Sequence, residues 1–527
     1  MVATAYPDAS EAARSVAAAG GNAIDAAIAA AWALAVCEPS ASGLGGQTTM
    51  LIRHASGRTV VVDGHSRAPA AASRGAVSRA EQRLGYRASS VPTTPATLAY
   101  AQRRYGRLAP ARVMEPARRL AEEGYAISAL QRRQLRWCRA ALASTEGGRR
   151  YLRPDGRPPR AGAVFRQPAL GRAVRRMAEH GVEDFYLGAI ADAIAADMRR
   201  HDGVLTGSDL AGLRAPTERE PLTATYRGLL VMTVPPPGGG TELLVGLKLL
   251  EQLAPDGALQ GQDRWHACLA DATLAAFRER ERRPVHPDEW TDDLGAWLVS
   301  EERARELASS RGDDPGAAWG PSAEEAGETT HLCTADDEGN VVSLTQSIQS
   351  LFGAKVANEG YGFLYNNYLA TCPRRRHPYR LRGLAPVRSN AAPTLVTEPA
   401  GPGHPGRPVL ALGGAGSRRI VSALLHVLTG VIDRGLGLDE ALSAPRVHAR
   451  LNGRVWLEQP AASARLVEAL ARGFGGVDLR PRHSYAMGAV QAIELRDDGT
   501  MVGGADPRRD GAARALVRAG GPARAAA

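Results

Sequence analysis

GETTHLCTADDEGNVVSLTQSIQSLFGAKVANEGYGFLYNNYL, residues 327–369, is the stretch on which the reading of this chain turns. Glu328-Thr329-Thr330-His331 opens a run rich in β-formers, and Asp336–Asn340 carries the Asp, Gly and Asn of a tight turn. Val341–Ser347 is a second strand-like run, so the segment predicts a hairpin. Its first strand begins with a hydroxyl that has a possible chemical use. A threonine hydroxyl is a poor nucleophile near neutral pH unless a base stands beside it. A free α-amine titrates near 8 and is such a base. Thr329 lies inside the chain, so that chemistry requires a break between Glu328 and Thr329. A Thr pair at a strand start is also ordinary β-propensity, and these residues alone leave both readings open.

Outward from this segment, two helices are predicted near the start, Asp8–Ala19 and Asn22–Val36, divided by Gly20-Gly21. The glycine turn Ser42-Gly43-Leu44-Gly45-Gly46 leads into strands Thr49–Arg53 and Thr59–Val62. Helical spacing returns over Thr97–Tyr105 and Pro116–Glu123, and residues 126–220 read as helical and Arg-rich with a hinge near Arg153–Ala163. Strand Leu229–Val234 meets a Pro/Gly turn, after which Thr241 is expected to cap a helix Glu242–Leu253. Residues 285–327 read as a polar linker and the best candidate boundary. Beyond the hairpin, Pro373–Arg388 reads as a basic loop, and Leu395–Val396 and Val409–Leu412 as strands. Gly413-Gly414-Ala415-Gly416-Ser417 precedes an apolar helix Ile420–Ile432, an arrangement that aims backbone N–H groups at developing negative charge. The tail past Gly511 is expected to be frayed.

Composition narrows the function classes. With 44% hydrophobic and 23% charged residues, the 527-residue chain has the make-up of a large globular protein. The net charge of +10 comes almost wholly from Arg, since Lys248 and Lys355 are the only lysines. The Arg is spread along the chain and aromatics are only 5%, which disfavours nucleic-acid binding. The five cysteines show no CxxC spacing, so neither a disulfide framework nor a zinc site is expected. His266, His377, His448 and His483 lack metal-ligand spacing, and no metal or cofactor is expected. Ala23–Cys37 is too short and too interrupted by Asp25 to span a bilayer. With no basic leader region at the start, a cytoplasmic protein without a membrane partner is expected.

Several motifs occur in a fixed order. Gly20-Gly21-Asn22-Ala23-Ile24-Asp25-Ala26-Ala27 comes first, then Ser42–Gly46, Arg67-Ala68-Pro69 and Val91-Pro92. Thr329-Thr330-His331, Asp337–Asn340, Val342–Thr345, Phe352-Gly353 and Asn366-Asn367 follow, then Gly416–Ile420 and Ala505–Gly511. Taken together the chain resembles the γ-glutamyltranspeptidase family of N-terminal-nucleophile hydrolases from Val2 to Gly511. The resemblance implies an α+β fold, a four-layer αββα sandwich, formed by a proenzyme. It implies self-cleavage between Glu328 and Thr329 into a large chain 1–328, ending in the linker 285–328, and a small chain 329–527 that stays with it. Thr329 would be the nucleophile, supported by Ser347, with the N–H groups of Gly416 and Ser417 as oxyanion hole. His331 is expected to pack the site.

The resemblance places Gln349 and Asn367 near the substrate pocket, and it is there that the chain departs from the family pattern. His65 stands where the γ-glutamyl enzymes hold the substrate carboxylate with Arg, and Arg67 follows two residues later. Thr371 stands where they hold the amine with Asp, and Ser389-Asn390 replaces a serine pair. Loss of a bidentate Arg and a charge-paired Asp removes most of what would recognise a glutamyl group. The expected function is therefore acyl transfer or hydrolysis on a small amide or related acyl substrate, without γ-glutamyl specificity. Two alternatives accompany it. One is a C–C hydrolase that releases a small oxo-acid such as oxalate in an actinobacterial natural-product pathway, with Arg67, Arg418 and Arg419 holding a dianion. The other is a non-catalytic relative that is never processed.

Overall fold

The computed structural model describes residues 1–255, 259, 261–309, 327–373, 376–401 and 405–517. The hairpin forms where the sequence predicts it, as strands Gly327–Ala335 and Val341–Ser350. Its turn is organised by Asp336. Oδ1 of that residue accepts from the N–H groups of Glu338 (3.1 Å) and Asn340 (2.9 Å), and Oδ2 accepts from Asn340 Nδ2 (2.9 Å). Oδ2 also accepts from the Ala23 N–H at 2.9 Å, which ties the turn to the start of helix Ala23–Cys37. That helix is set by a capping box: Asn22 accepts from Ile24 and Asp25, and the Asp25 carboxylate accepts from Asn22 N. Its residues are buried all round, as an apolar helix without a polar face requires.

The main strands, in chain order, are β1 (Val2–Thr4), β2 (Gln47–Arg53), β3 (Thr59–Gly64), β4 (Thr217–Arg219), β5 (Leu222–Tyr226), β6 (Leu229–Thr233), β7 (Gly327–Ala335), β8 (Val341–Ser350), β9 (Thr394–Thr397), β10 (Pro408–Ala415), β11 (Ala489–Leu495), β12 (Met501–Ala505) and β13 (Ala512–Arg514). Among the described residues they form a seven-stranded sheet, β13-β1-β7-β8-β2-β3-β4, and a six-stranded sheet, β12-β11-β10-β9-β6-β5.

Strand alternation makes the layers. Met50, Ile52, Val60 and Val62 point out to a core shared with helices Pro7–Ala18, Ala23–Cys37 and Pro110–Glu123. Leu51 and Val61, one residue out of step, enter a core between the sheets with Met232, Cys333, Leu395, Ala411 and Ile493. Beyond the second sheet, helices Gly240–Leu253, Gln262–Arg282 and Arg419–Ile432 bury a third core. The order is helix, sheet, sheet, helix: an α+β, four-layer αββα sandwich. Each fully buried Leu or Val contributes roughly 1.5–3 kcal/mol against exposure. The sheets approach closely at Gly413, where an added Cβ would lie 2.2 Å from Cε1 of His331, so only glycine fits.

Four local expectations change. Thr241 does not cap its helix: Gly239 is the N-cap, and the Thr241 hydroxyl has no partner among the described residues. Residues 285–309 of the supposed linker hold helical turns at Pro287–Glu289, Asp292–Leu298 and Glu301–Ser309, while 310–326 lie outside the described residues. The first turn of the middle helix is capped by Thr291, a signal a polar composition hides. Residues 217–219, read as helical, are edge strand β4. The tail past Gly511 is not frayed at once, since Ala512–Arg514 pairs antiparallel with Val2–Thr4; residues 518–527 lie outside the described residues.

Candidate active site

The site is built at one end of the first sheet. In register, Thr330 faces Gln346, Gln346 faces Thr48, and Thr48 faces Gly64. One residue toward the strand ends lies the row Thr329, Ser347, Gln47 and His65, with Ser347 opposite Gln47. Alternation turns this row to the inter-sheet side, the face on which His331 meets Gly413. At roughly 4.8 Å per strand, the row spans on the order of 14 Å. Gly46 permits the packing: a Cβ there would come 2.4 Å from the Ser347 carbonyl oxygen.

Ser347 is the hub. Its Oγ donates to the carbonyl oxygen of Glu328 at 2.7 Å and accepts from the Gln349 N–H at 2.9 Å and from Thr329 Oγ1 at 3.4 Å. One donated and two accepted bonds use the whole capacity of a hydroxyl. The β-bulge between Gln346 and Gln349 brings the Gln349 N–H to it. The Glu328–Thr329 bond lies buried inside β7, its carbonyl polarised by Ser347.

The Glu328 carboxylate sits in a charged nest. Arg509 Nη2 lies 3.3 Å from one oxygen, and Arg419 Nη2 lies 3.6 Å from the other. Arg419 also donates to the carbonyls of Gly327 (3.1 Å) and Gly416 (2.6 Å). On the same face of β7 as that carboxylate, and opposite to Thr329, Glu38 looks at Thr330; burial pushes its carboxyl up to about 8, against the pull of Thr330 and Arg509. His331 is a packing residue whose Nδ1 faces Thr345 Oγ1 at 2.9 Å; burial pushes its ring down to about 3, so it stays neutral.

The segment after β10 lies against Gly327, just before the Glu328–Thr329 bond. Gly416 has φ 116° and Ser417 φ 60°. A Cβ added to Gly327 would come 2.8 Å from both Cβ and Oγ of Ser417, so Ser417 rests on the backbone just before Glu328. The N–H groups of Gly416 and Ser417 have no hydrogen-bond acceptor among the described residues.

Around this centre the expected substrate residues divide. Gln349 (φ 81°) keeps a buried Nε2 without a partner among the described residues. The Tyr368 phenol lies within reach of Ser347, Gln47 and Ser389, and burial keeps it protonated. Asn390 Nδ2 donates to Ser417 Oγ at 3.2 Å. His65 Nδ1 meets Asp63 Oδ1 at 2.6 Å, and Arg219 donates to Asp63 Oδ2 at 2.9 Å. Burial opposes ionisation of Asp63, but His65 and Arg219 outweigh it and hold the carboxyl well below the usual range. His65 Nε2 is buried without a partner among the described residues.

Four expected residues are otherwise engaged. Asn367 spends its amide on Ser350 and the Arg83 carbonyl, and the Thr371 hydroxyl donates to the Tyr368 carbonyl in its own turn. Arg67 is exposed and donates to the Leu384 carbonyl. Arg418, expected with Arg67 and Arg419 as a dianion clamp, is paired with Glu281 at 2.7 Å. Gln47, Tyr368, Asp63, Glu38 and Arg509 were missed as site residues. Gln47 follows the glycine turn, Tyr368 follows the Asn pair, and Arg509 lies in the late Asp-Pro-Arg-Arg motif, so adjacency to a motif was the available signal.

Among the described residues no cluster of His, Cys, Asp and Glu is arranged to hold a metal, and no helix is long and apolar enough to cross a membrane.

Comparison with known proteins places the chain in a family. The gamma-glutamyltranspeptidase family profile matches residues 9–516. The Acylase ACY 1 proenzyme of Pseudomonas sp. (strain V22) is 33% identical, covering 100% of this chain and 95% of the relative. The glutathione hydrolase proenzyme of Escherichia coli (strain K12) is 30% identical over 93% of this chain and 87% of its own length. Among solved structures, cephalosporin acylase from Bacillus halodurans superposes with a TM-score of 0.85 at 29% identity, covering 97% of this chain and 94% of that one.

Proposed function

This chain belongs to the gamma-glutamyltranspeptidase family of N-terminal-nucleophile hydrolases, and from that premise we propose that it cuts itself between Glu328 and Thr329 and then works as an amide acyl hydrolase or transferase with Thr329 as nucleophile. The observation that carries the reading is the Ser347 hydroxyl, which touches both the Thr329 hydroxyl and the scissile carbonyl. Thr329 Oγ adds to the Glu328 carbonyl carbon, and the charge that develops on the carbonyl oxygen falls on the Ser347 O–H. The C–N bond breaks, the freed amine takes up a proton, and water hydrolyses the resulting ester. The new α-amine is then the base that accepts the Thr329 hydroxyl proton when the oxygen attacks a substrate acyl carbon. Gly416 and Ser417 N–H groups stabilise that oxyanion. The leaving amine takes the proton, and water or an acceptor amine resolves the acyl-enzyme.

The products 1–328 and 329–527 stay together in this proposal because β7 is a central strand. It is bonded on one side to β1 of the large chain and on the other to β8, which pairs with β2. An amide is favoured over a C–C substrate because the arginines expected to clamp a dianion are engaged apart from one another: Arg418 pairs with Glu281, which it shares with Arg388, and Arg67 lies at the surface on the Leu384 carbonyl. The acyl chain runs along the row toward His65, whose free Nε2 meets its far end; the relatives named as acylases accord with such an acyl amide.

The test is a denaturing gel with mass analysis of purified protein. Wild type resolves into fragments 1–328 and 329–527, and Thr329→Ala remains one chain. A wild type that stays intact on incubation refutes the proposal.

A further inference from the structure

Ser417 stands where glycine would be conformationally easier. Its φ of 60° is in the left-handed region, which is costly for a residue with a Cβ. The buried side chain that comes with this cost is specifically oriented. Asn390 Nδ2 donates to Ser417 Oγ at 3.2 Å. The Asn390 amide is set from behind by Arg280, whose Nη1 donates to Asn390 Oδ1 at 2.6 Å. A guanidinium has only donors, so Oδ1 must face Arg280 and Nδ2 must face Ser417. Arg280 is fixed in turn by an ion pair with buried Glu242 and by donation to the Ser389 carbonyl at 2.7 Å and the Pro237 carbonyl at 3.3 Å. The Ser417 hydroxyl is thus an acceptor toward Asn390, and its own hydrogen has no acceptor among the described residues. It lies against Gly327, beside the carbonyl at which the first attack occurs.

We infer that the Ser417 hydroxyl is a third, side-chain donor of the oxyanion site, and that Asn390 and Arg280 are positioning residues that orient it. The inference rests on the proposed cleavage, after which the space beside Gly327 is open to a substrate carbonyl. When Thr329 Oγ adds to the acyl carbon, the carbonyl π pair moves onto oxygen. The Ser417 O–H hydrogen-bonds that oxygen and keeps its proton. Collapse restores the carbonyl and expels the amine with the proton held by the Thr329 α-amine. Accepting from an amide polarised by a guanidinium strengthens the hydroxyl as a donor.

Strain and chemistry separate in a pair of variants. Ser417→Ala keeps the unfavourable φ and loses the hydroxyl, whereas Ser417→Gly relieves the φ and loses the same hydroxyl. Both keep the backbone N–H. Processed enzyme is mixed with p-nitrophenyl acetate, and the burst of p-nitrophenolate reports acylation of Thr329. Both variants are expected to slow the saturating acylation rate constant at least tenfold, with half-saturation unchanged and Ser417→Gly no less thermally stable than wild type. Asn390→Asp accepts from Arg280 but cannot donate to Ser417, and is expected to slow acylation severalfold by the same split. A Ser417→Gly rate equal to wild type overturns the third donor, and an Asn390→Asp rate equal to wild type overturns the relay. A wild type that is cut but gives no burst, or is never cut, overturns the proposed function instead and removes the premise.

Discussion

Ser347→Ala tests self-cleavage most directly. The substitution removes one oxygen with three bonds: to the scissile Glu328 carbonyl at 2.7 Å, from the Gln349 N–H at 2.9 Å and from Thr329 Oγ1 at 3.4 Å. The carbonyl bond matters most for rate, because it strengthens as charge develops on that oxygen. A preorganised donor to an oxyanion is worth about 2.7–4 kcal/mol, or roughly 10²–10³ in rate. Burial of the site excludes water as a replacement donor. The orphaned Gln349 N–H separately costs about 1–3 kcal/mol of stability, too little to unfold a chain with cores on both faces of two sheets. The assay is a gel time course after purification in the cold, with the first-order rate of appearance of 1–328 and 329–527 compared between variants at equal folded fraction. Ser347→Ala should process at least a hundredfold more slowly yet keep a cooperative melt. Processing at the wild-type rate would refute the role given to Ser347, and a melt without cooperativity would mean the loss was structural.

Other outcomes follow from the same geometry. In a Thr329→Ala background, Glu328→Gln strands Arg509 and Arg419 without their buried counter-charge and should destabilise the precursor by roughly 3–5 kcal/mol in denaturant melts; with Thr329 restored it should still self-cleave, since Glu328 supplies only its carbonyl. Glu38, raised by burial to about 8, binds a proton more tightly folded than unfolded, so the stability it contributes is full below about pH 4.5 and is lost as pH rises through about 8; Glu38→Gln should flatten the melting-temperature profile across that window. Because the Thr371 hydroxyl is engaged with the Tyr368 carbonyl, an α-amine on the substrate should gain nothing: γ-glutamyl-p-nitroanilide should turn over no more than about twofold faster than its des-amino analogue, and a tenfold preference would show that an amine site exists.

Much of the fold was legible because its signals are local. Asn22 and Asp25 form a capping box within four residues, Asp336 and Gly339 form a turn within five, and the β-branched runs in Thr59–Val62 and Val341–Ser347 mark strands, whose two faces meet different cores. The linker misreading has a local cause as well. Residues 285–309 are polar enough to read as linker, yet their short helices are set by the Thr291 cap and by Leu298 and Leu307 reaching the core, which composition does not register.

Thr329, Ser347, Gly416 and Ser417 could be named from motifs because their order along the chain is distinctive, but a motif carries no distances. By itself the sequence determined the hairpin, from residues a few positions apart, and, through the order of its motifs along the chain, the layered α+β class. Tertiary structure alone decided which side chains are free to act. His65 comes level with Ser347 only through the register of three strands, and Asn367 and Thr371, expected in the pocket, are spent on their own turns. Arg280, 110 residues from Asn390, sets the orientation of that amide and through it the Ser417 hydroxyl. The division follows from range: propensity and alternation act between neighbours in sequence, whereas the partner that leaves a hydroxyl or imidazole free, or uses it up, is chosen by the packing of distant segments.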